Sequence, residues 1–466
     1  MSKKVAVVLI LMSLTAASIV ASKPVNAGSK TITVPDDYST ITAAIGNAAD
    51  GDTIFVRKGT YEEPINQTLV INKSLSLIGE DRASTILRLH PPLVPYTLFT
   101  QTFMVYDNPI KIDAKRVTIS GFKIASDGGD LSATGEETQI IGNAMNFAVS
   151  AAGDGIQVID NSLTGIALSG SNQTIAGNTL LNGTAEFIVS IGGSYNTITS
   201  NMVSGSGGGI YTNGFHNIVH GNSITTESGT SAGLELNGNE NIIAKNNISS
   251  FVIIGSERVP ESTSNIVCGN TIANNLAIVG HNNTFYGNYL QGLILGNRIK
   301  DASNNVFYHN NFDFIENDVL PAGEKTFTVW EGVQGPVFLD NGKEGNYYSD
   351  YNGSDLNFDG VGDSPYVINT TDPNNYHYIA DFNIADLVLT DHYPLMAPFD
   401  ISNINIELPE LTSSLSPSPS LSPSPSPSPS PPPTAEPSST TTIIAFVVAA
   451  AVIIGGLLLY FRKREH

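Results

Sequence analysis

The chain reads TIAGNTL at 174–180, TITSNMV at 197–203, IVHGNSI at 218–224, IIAKNNI at 242–248, IVCGNTI at 266–272, TFYGNYL at 284–290 and VFYHNNF at 306–312. QIIGNAM at 139–145 and QVIDNSL at 157–163 are looser copies. The aligned asparagines Asn143, Asn161, Asn178, Asn201, Asn222, Asn246, Asn270, Asn288 and Asn310 stand 17 to 24 residues apart. Self-similarity at such a period is the mark of a solenoid. Each unit is too short for a strand and a helix, and Ile, Val, Thr, Gly and Asn dominate it. Short strands joined by tight turns fit that composition.

Alternation within each phrase places Ile175, Ile198, Val219, Ile243, Val267, Phe285 and Phe307 on one face, which is expected to point inward. The asparagine is expected where the chain turns, because Asn tolerates left-handed backbone angles and bonds its own backbone. Stacked at one corner, such asparagines can bond from coil to coil. The expected fold is an all-β right-handed parallel β-helix with an N-terminal capping helix and one C-terminal transmembrane helix.

The ends carry separate signals. Residues 1–27 read as a signal peptide: Lys3 and Lys4, an apolar stretch from Val5 to Ala21, then Val25-Asn26-Ala27 as a cleavage site. Residues 401–441 form a stalk, with Ser-Pro repeats between Ser413 and Pro437 that favour extended polyproline conformations. About 25 such residues at ~3.1 Å each span roughly 80 Å. Residues 442–461 read as a membrane span, and Ile443 to Phe461 carry no charge. The 462–466 tail, with Arg462, Lys463 and Arg464, is expected in the cytoplasm and the β-helix outside the cell.

The formal charge of −21 is concentrated towards the C-terminus, where no Lys or Arg occurs between Glu344 and Phe461. That excludes nucleic acid as a natural partner and favours divalent cations. The single cysteine, Cys268, excludes an intrachain disulfide framework. Sequons at Asn66, Asn72, Asn172, Asn182, Asn247, Asn282, Asn352 and Asn369 suit a glycosylated surface protein.

Between the ends, 28–138 is expected to hold the cap and first coils. Ile41, Ala44, Ile45 and Ala48 share one helical face there. Residues 91–115 fit the repeat poorly and read as a loop or irregular coil, and RVTISGFKI at 116–124 resumes it with Gly121 in the asparagine slot. Regular repeats occupy 139–312, and terminal coils with an Asp-rich module occupy 313–400.

The opening VPDDYSTITAAIGNAADGDTIFVRKGTY, then INKSLSLIGED, resembles the start of pectin-lyase-like β-helix proteins. The repeats followed by VW at 329–330, GNYYSDYNGSD at 345–355, DGVGDSPYVI at 359–368 and DHYPLM at 391–396 resemble the NosD-type family, over about 35–400. That family typically has tryptophan where this chain has Tyr348. The resemblance implies a secreted right-handed β-helix and, through the family's namesake, copper handling.

Three places could carry chemistry. Asp355, Asn357 and Asp359, followed by Gly360, Val361 and Asp363, form the front half of an EF-hand-type Ca²⁺ loop. Tyr366 stands where the closing glutamate belongs, so a structural Ca²⁺ would need a further ligand. One outward stripe is expected to carry Ala167, Ser190, Tyr211, Glu235 and Ala277, with Glu235 the weak catalytic candidate beside an aromatic ring. A second carries Thr199, His220, Ala244, Cys268, Tyr286 and Tyr308, where the two tyrosines could stack on a sugar. Copper needs clustered soft or imidazole ligands, and the methionines, histidines and Cys268 are too scattered for it. The expected function is non-catalytic binding of polysaccharide or surface-layer components, with a polysaccharide lyase or glycoside hydrolase as the rival and copper handling third.

Overall fold

The phrase Thr174–Ala176 shows how the chain is built. Ile175 points in and is fully buried, while Thr174 and Ala176 face outward. Its register continues through Ile175↔Ile198, Ile198↔Val219, Val219↔Ile243, Ile243↔Val267, Val267↔Phe285 and Phe285↔Phe307, all in parallel pairs. Each inward residue is at most 1% exposed, as expected from the alternation. A fully buried aliphatic side chain contributes about 1.5–3 kcal/mol, and Phe285 and Phe307 add a stacked contact at 4.6 Å.

These strands form a 13-stranded parallel sheet, from Thr31–Val34 to Val306–Tyr308, and the other strands of each coil form a 23-stranded one. The chain is therefore a parallel β-solenoid. The computed structural model describes residues 28–98, 100–226, 231–256, 262–296, 301–313, 326–329, 333, 335–369 and 388–406. The expected signal peptide, membrane span, cytoplasmic tail and all but the first residues of the stalk lie outside these. Among the described residues no helix is long and apolar enough to cross a membrane.

The asparagines form a continuous ladder. From Asn143 to Asn310 each backbone N–H donates to the Oδ1 of the next asparagine at 2.8–3.0 Å. The Nδ2 groups of most also donate to a strand carbonyl, as Asn246 does to Val219 at 2.8 Å. All these side chains are buried. The left-handed backbone, however, belongs to the preceding residue: Asp160, Ser200, Lys245 and His309 have φ of 54–57°. Asn itself points inward to bond. Nor does Gly121 hold the asparagine slot. The pairing Ser120↔Ile141 sets Phe122 opposite Asn143, and the Phe122 N–H starts the ladder by donating to Asn143 Oδ1.

A second ladder runs along another corner. Gln173, Asn196, Asn217, Asn241, Asn265 and Asn283 each donate a backbone N–H to the next member, ending on Asn305. Here too a left-handed residue precedes every member, Asn172, Tyr195, His216, Glu240, Ser264, Asn282 and Asn304 in turn.

The N-terminal end is covered by α1 (Ile41–Asn47), which buries Ile41, Ala44 and Ile45. The Thr40 side chain accepts from Ala43 N–H, and the buried Glu63 carboxylate accepts from the Ile41 and Thr42 amides. Lys73 Nζ donates to the Ile45, Gly46 and Ala48 carbonyls at the other end. Both ends thus receive the charge their orphan groups favour.

Residues 91–115 are not an irregular coil. Leu93–Leu98 and Gln101–Tyr106 form an antiparallel hairpin outside both large sheets, and Ile110–Ile112 rejoins the solenoid. The repeat is interrupted because the chain leaves the body and returns.

At the C-terminal end Asn346 extends the first ladder by accepting from Asn310. Its own N–H and Nδ2 donate to Asp391 Oδ2 at 2.7 and 3.3 Å. Asp391 lies in Val388–Asp391, antiparallel to Tyr366–Asn369. Tyr348 is fully buried, stacks on Phe312 at 5.2 Å and donates its hydroxyl to Asp391 Oδ2 at 3.1 Å. Phe399 then returns to the body, exchanging backbone bonds with the Asn311 amide and stacking on His309 at 4.3 Å.

Candidate functional site

The outward faces follow from the same register. Lys111, Ser132, Ser150, Ala167, Ser190, Tyr211 and Glu235 are consecutive partners on successive coils, followed by Ile253, Ala277 and Ile294. The expected stripe is therefore one line, with Ile253 between Glu235 and Ala277. Its small side chains leave a depression of about 300 Å³, lined by Ser132, Ser150, Ala167, Ser190 and their neighbours Thr134, Ala152 and Ser169. Hydroxyls thus form much of its floor.

Beyond the depression Tyr211 rises from the line, its ring tilted against Phe187 at 5.3 Å. Glu235 follows, partly buried, and its Oε1 accepts from Asn237 Nδ2 at 2.9 Å. At the other end Lys111 pairs with Asp107 at 2.8 Å, which holds the Asp107 carboxyl below its usual range. Six strand spacings separate Lys111 from Glu235, about 29 Å. A glycosidase pair stands about 5–9.5 Å apart, and Glu235 is the sole carboxylate among the stripe residues named here.

The second stripe is in register as expected, but Ala244 and Cys268 in its middle are fully buried and not open to solvent. Thr199, His220, Ala244, Cys268, Tyr286 and Tyr308 are successive partners. Tyr286 and Tyr308 stack at 5.4 Å with planes 9° apart. Both are half-buried, and burial pushes both phenols up, as it does the Cys268 thiol. The ring faces are turned to each other, so the pair offers an edge and not an open double platform.

The Asp-rich loop closes on its own amides. Asp355 accepts from Asp359 and Gly360 N–H, Asp359 from Val361 N–H at 2.9 Å, and Asp363 from Leu356 N–H at 2.7 Å. Asn357 accepts from Asp359 N–H and donates to Asp359 Oδ2. Tyr366 donates to Asp350 at 2.9 Å. The donor set is all oxygen, which suits Ca²⁺ in kind. Among the described residues no three His, Cys, Asp or Glu are grouped to hold a metal ion. Four of the histidines are engaged by carboxylates: His90 by Asp127 and Glu62, His216 by Glu240, His309 by Glu344 and His392 by Asp340.

No family profile matches the chain, and no curated protein does. Solved structures are similar in fold. The Dettilon tailspike protein gp208 is 15% identical, with 72% of each chain covered and a TM-score of 0.39. A mannuronic acid specific polysaccharide family 6 lyase from human gut microbiota is 13% identical, over 68% of this chain and 86% of that one, at 0.37. The catalytic unit of a GH87 α-1,3-glucanase from Streptomyces thermodiastaticus strain HF3-3 is 13% identical, over 70% and 69%, at 0.35. What the strand pairing itself establishes is a parallel β-solenoid built of two long sheets. Such distant likeness carries no activity across.

Proposed function

We propose that the line from Lys111 to Glu235 is a binding track for a linear polysaccharide, or for a surface layer that carries one, used without catalysis. The observation that supports it most is the register, which sets a hydroxyl-rich floor, an aromatic wall and one carboxylate along a single axis. A linear polymer lying along the solenoid meets one side chain per coil. Hydroxyls exchange hydrogen bonds with sugar hydroxyls, and the Tyr211 ring supplies apolar area at low entropy cost. In this reading the stalk and the 442–461 span hold the β-helix outside the cell. A Ca²⁺ bound by Asp355, Asn357, Asp359 and the Val361 carbonyl, with Asp363, would tie down the terminal module.

The rival reading, a polysaccharide lyase or glycoside hydrolase, gains from one feature: Asn237 fixes the orientation of Glu235. Size-exclusion chromatography of the full chain with acidic and neutral polysaccharides, with and without Ca²⁺, separates the two. Co-elution with polymer of unchanged length, lost in Tyr211→Ala, is expected. Shortened polymer, abolished by Glu235→Gln, would replace the binding reading with the enzyme.

A further inference from the structure

The corner of the second ladder carries a cluster that the track does not use. Its left-handed position is held by Asn, Tyr, His, Glu or Ser in different coils, so the turn itself asks for no ring. Tyr195 nevertheless takes it at φ 60°, a costly conformation for a bulky side chain, and is 59% exposed. Its ring stacks on His216 of the following coil at 4.8 Å, with planes 25° apart. Glu240, one coil further, pairs with His216 Nε2 at 3.2 Å. The 4.8 Å separation of the rings is the spacing of adjacent strands. The Tyr195 ring therefore lies across the solenoid axis, one face on His216 and the other turned to the preceding coil.

On that preceding coil the same position is Asn172. Its N–H donates to the Ser194 carbonyl, and the Gln173 N–H donates to Asn196 Oδ1, which sets Asn172 beside Tyr195. Asn172 is exposed at φ 59°, and its side-chain amide makes no hydrogen bond among the described residues. It heads Asn172-Gln173-Thr174, and Thr174 faces outward from its strand, half-buried. Both the amide and the hydroxyl of an Asn-x-Thr glycan acceptor are thus on the surface. Asn282-Asn283-Thr284 repeats the arrangement on the same corner, with an exposed Asn at φ 58° and an outward Thr. The positions on either side of Asn282 are Ser264 and Asn304, neither of them aromatic. One corner therefore presents the same acceptor twice, once with a ring beside it and once without.

We propose that Asn172 carries an N-linked glycan whose first sugar lies on the open face of Tyr195. The donor is a sugar activated at its anomeric carbon by a lipid-linked diphosphate. Asn172 Nδ2 attacks that carbon, and the new C–N bond forms as the C–O bond to the diphosphate breaks. The lipid diphosphate leaves with the bonding electrons, and Nδ2 gives one of its two protons to a base of the transferase. One coil step, about 4.7–4.9 Å, separates Asn172 from Tyr195 and suits a flat sugar ring laid on the phenol. The contact removes apolar ring surface from water and gives the strained Tyr195 a partner on each face. The proposal rests on the extracellular placement of the β-helix proposed above.

The test begins with the full chain purified from the membranes of its own cells, its proteolytic peptides weighed by mass spectrometry. A glycan on the peptide that contains Asn172 is expected. A sugar-free Asn172 in a chain that begins after Ala27 would overturn the proposal and leave the extracellular reading standing. A sugar-free Asn172 in an unprocessed chain would overturn both. Melting of the parent, Thr174→Val, Tyr195→Ser and the double variant then tests the shelf. Thr174→Val removes the acceptor hydroxyl without touching Asn172, and serine already holds the corner at Ser264. Thr174→Val should lower the midpoint by about 1–3 °C more in the parent than in Tyr195→Ser. Thr284→Val, which removes the acceptor at Asn282, should give the same shift in both. An equal shift in both backgrounds for Thr174→Val would overturn the stacking on Tyr195.

Discussion

Between Thr31 and Ser126 the coils meet at Gly79 and Gly121, where a side chain on either glycine would run into the carbonyl of the other. Carboxylates and a lysine secure the outermost elements there, Glu63 and Lys73 on α1 among them. From Asn143 onward the next position along each coil, opposite Phe122, is a buried asparagine that hands two donors to the following coil. Close approach of a glycine to the preceding coil's carbonyl recurs further on, along Gly170, Gly193, Gly214 and Gly238, so the first region stands apart by its local capping, its lack of the asparagine bonds and elements that differ from coil to coil. The second repeats one set of bonds and so tolerates loops of differing length. Failure should therefore spread differently in the two. A lost asparagine strands groups on both neighbouring coils, whereas a filled glycine strains one contact.

The sharpest way to break this contrast is Asn246→Ala. It leaves the Asn222 N–H and Nδ2 without their acceptor and the Val219 carbonyl without its donor. A loss of roughly 3–5 kcal/mol is expected, read as a lower urea midpoint. Gly121→Ala should cost less, about 2–4 kcal/mol, from a φ of 78° and the clash with Gly79. If the glycine change proved the more damaging in the same measurement, the ladder would not be the stronger join.

The end of the ladder gives a pH test. Burial raises the Asp391 carboxyl from 3.8 to about 6, against the donors from Asn346, Tyr393 and Tyr348 that favour its charge. A raised carboxyl pKa means the fold binds the proton more tightly than the unfolded chain does. Its stabilising contribution is full below about pH 4 and is lost as pH rises through 6. Asp391→Asn should therefore gain on the parent by up to about 3 kcal/mol between pH 4 and pH 7. Parallel melting curves for both proteins across that window check it, and a constant gap would refute the shift. The smallest effect should come from Lys73→Met, at about 1 kcal/mol, since α1 keeps its Thr40 and Glu63 caps.

The repeat exposed the solenoid, the seven inward residues and both outward stripes, because strand periodicity fixes which way each side chain points. It placed Tyr211 beside Glu235 and Tyr286 beside Tyr308 for the same reason. The second ladder was equally legible and was missed: Asn196, Asn217, Asn241, Asn265, Asn283 and Asn305 each stand five residues before a ladder asparagine. The hairpin was hidden because a search for the repeat sees only its interruption. Asp391 was out of reach, since 45 residues separate it from the Asn346 amide it accepts from. The facing of the tyrosine rings depends on side-chain rotation, which spacing does not encode.

The spacing of successive ladder asparagines varies from 17 to 24 residues, yet their bonds stay within 2.8–3.0 Å. What one coil offers its successor is thus independent of how long that successor is. A duplicated or deleted unit, cut from one asparagine to the next, presents the same two faces to its neighbours as before. The reach of the body is then an inherited ruler graduated in steps of about 4.8 Å, which a lineage can lengthen or shorten without inventing a single new contact.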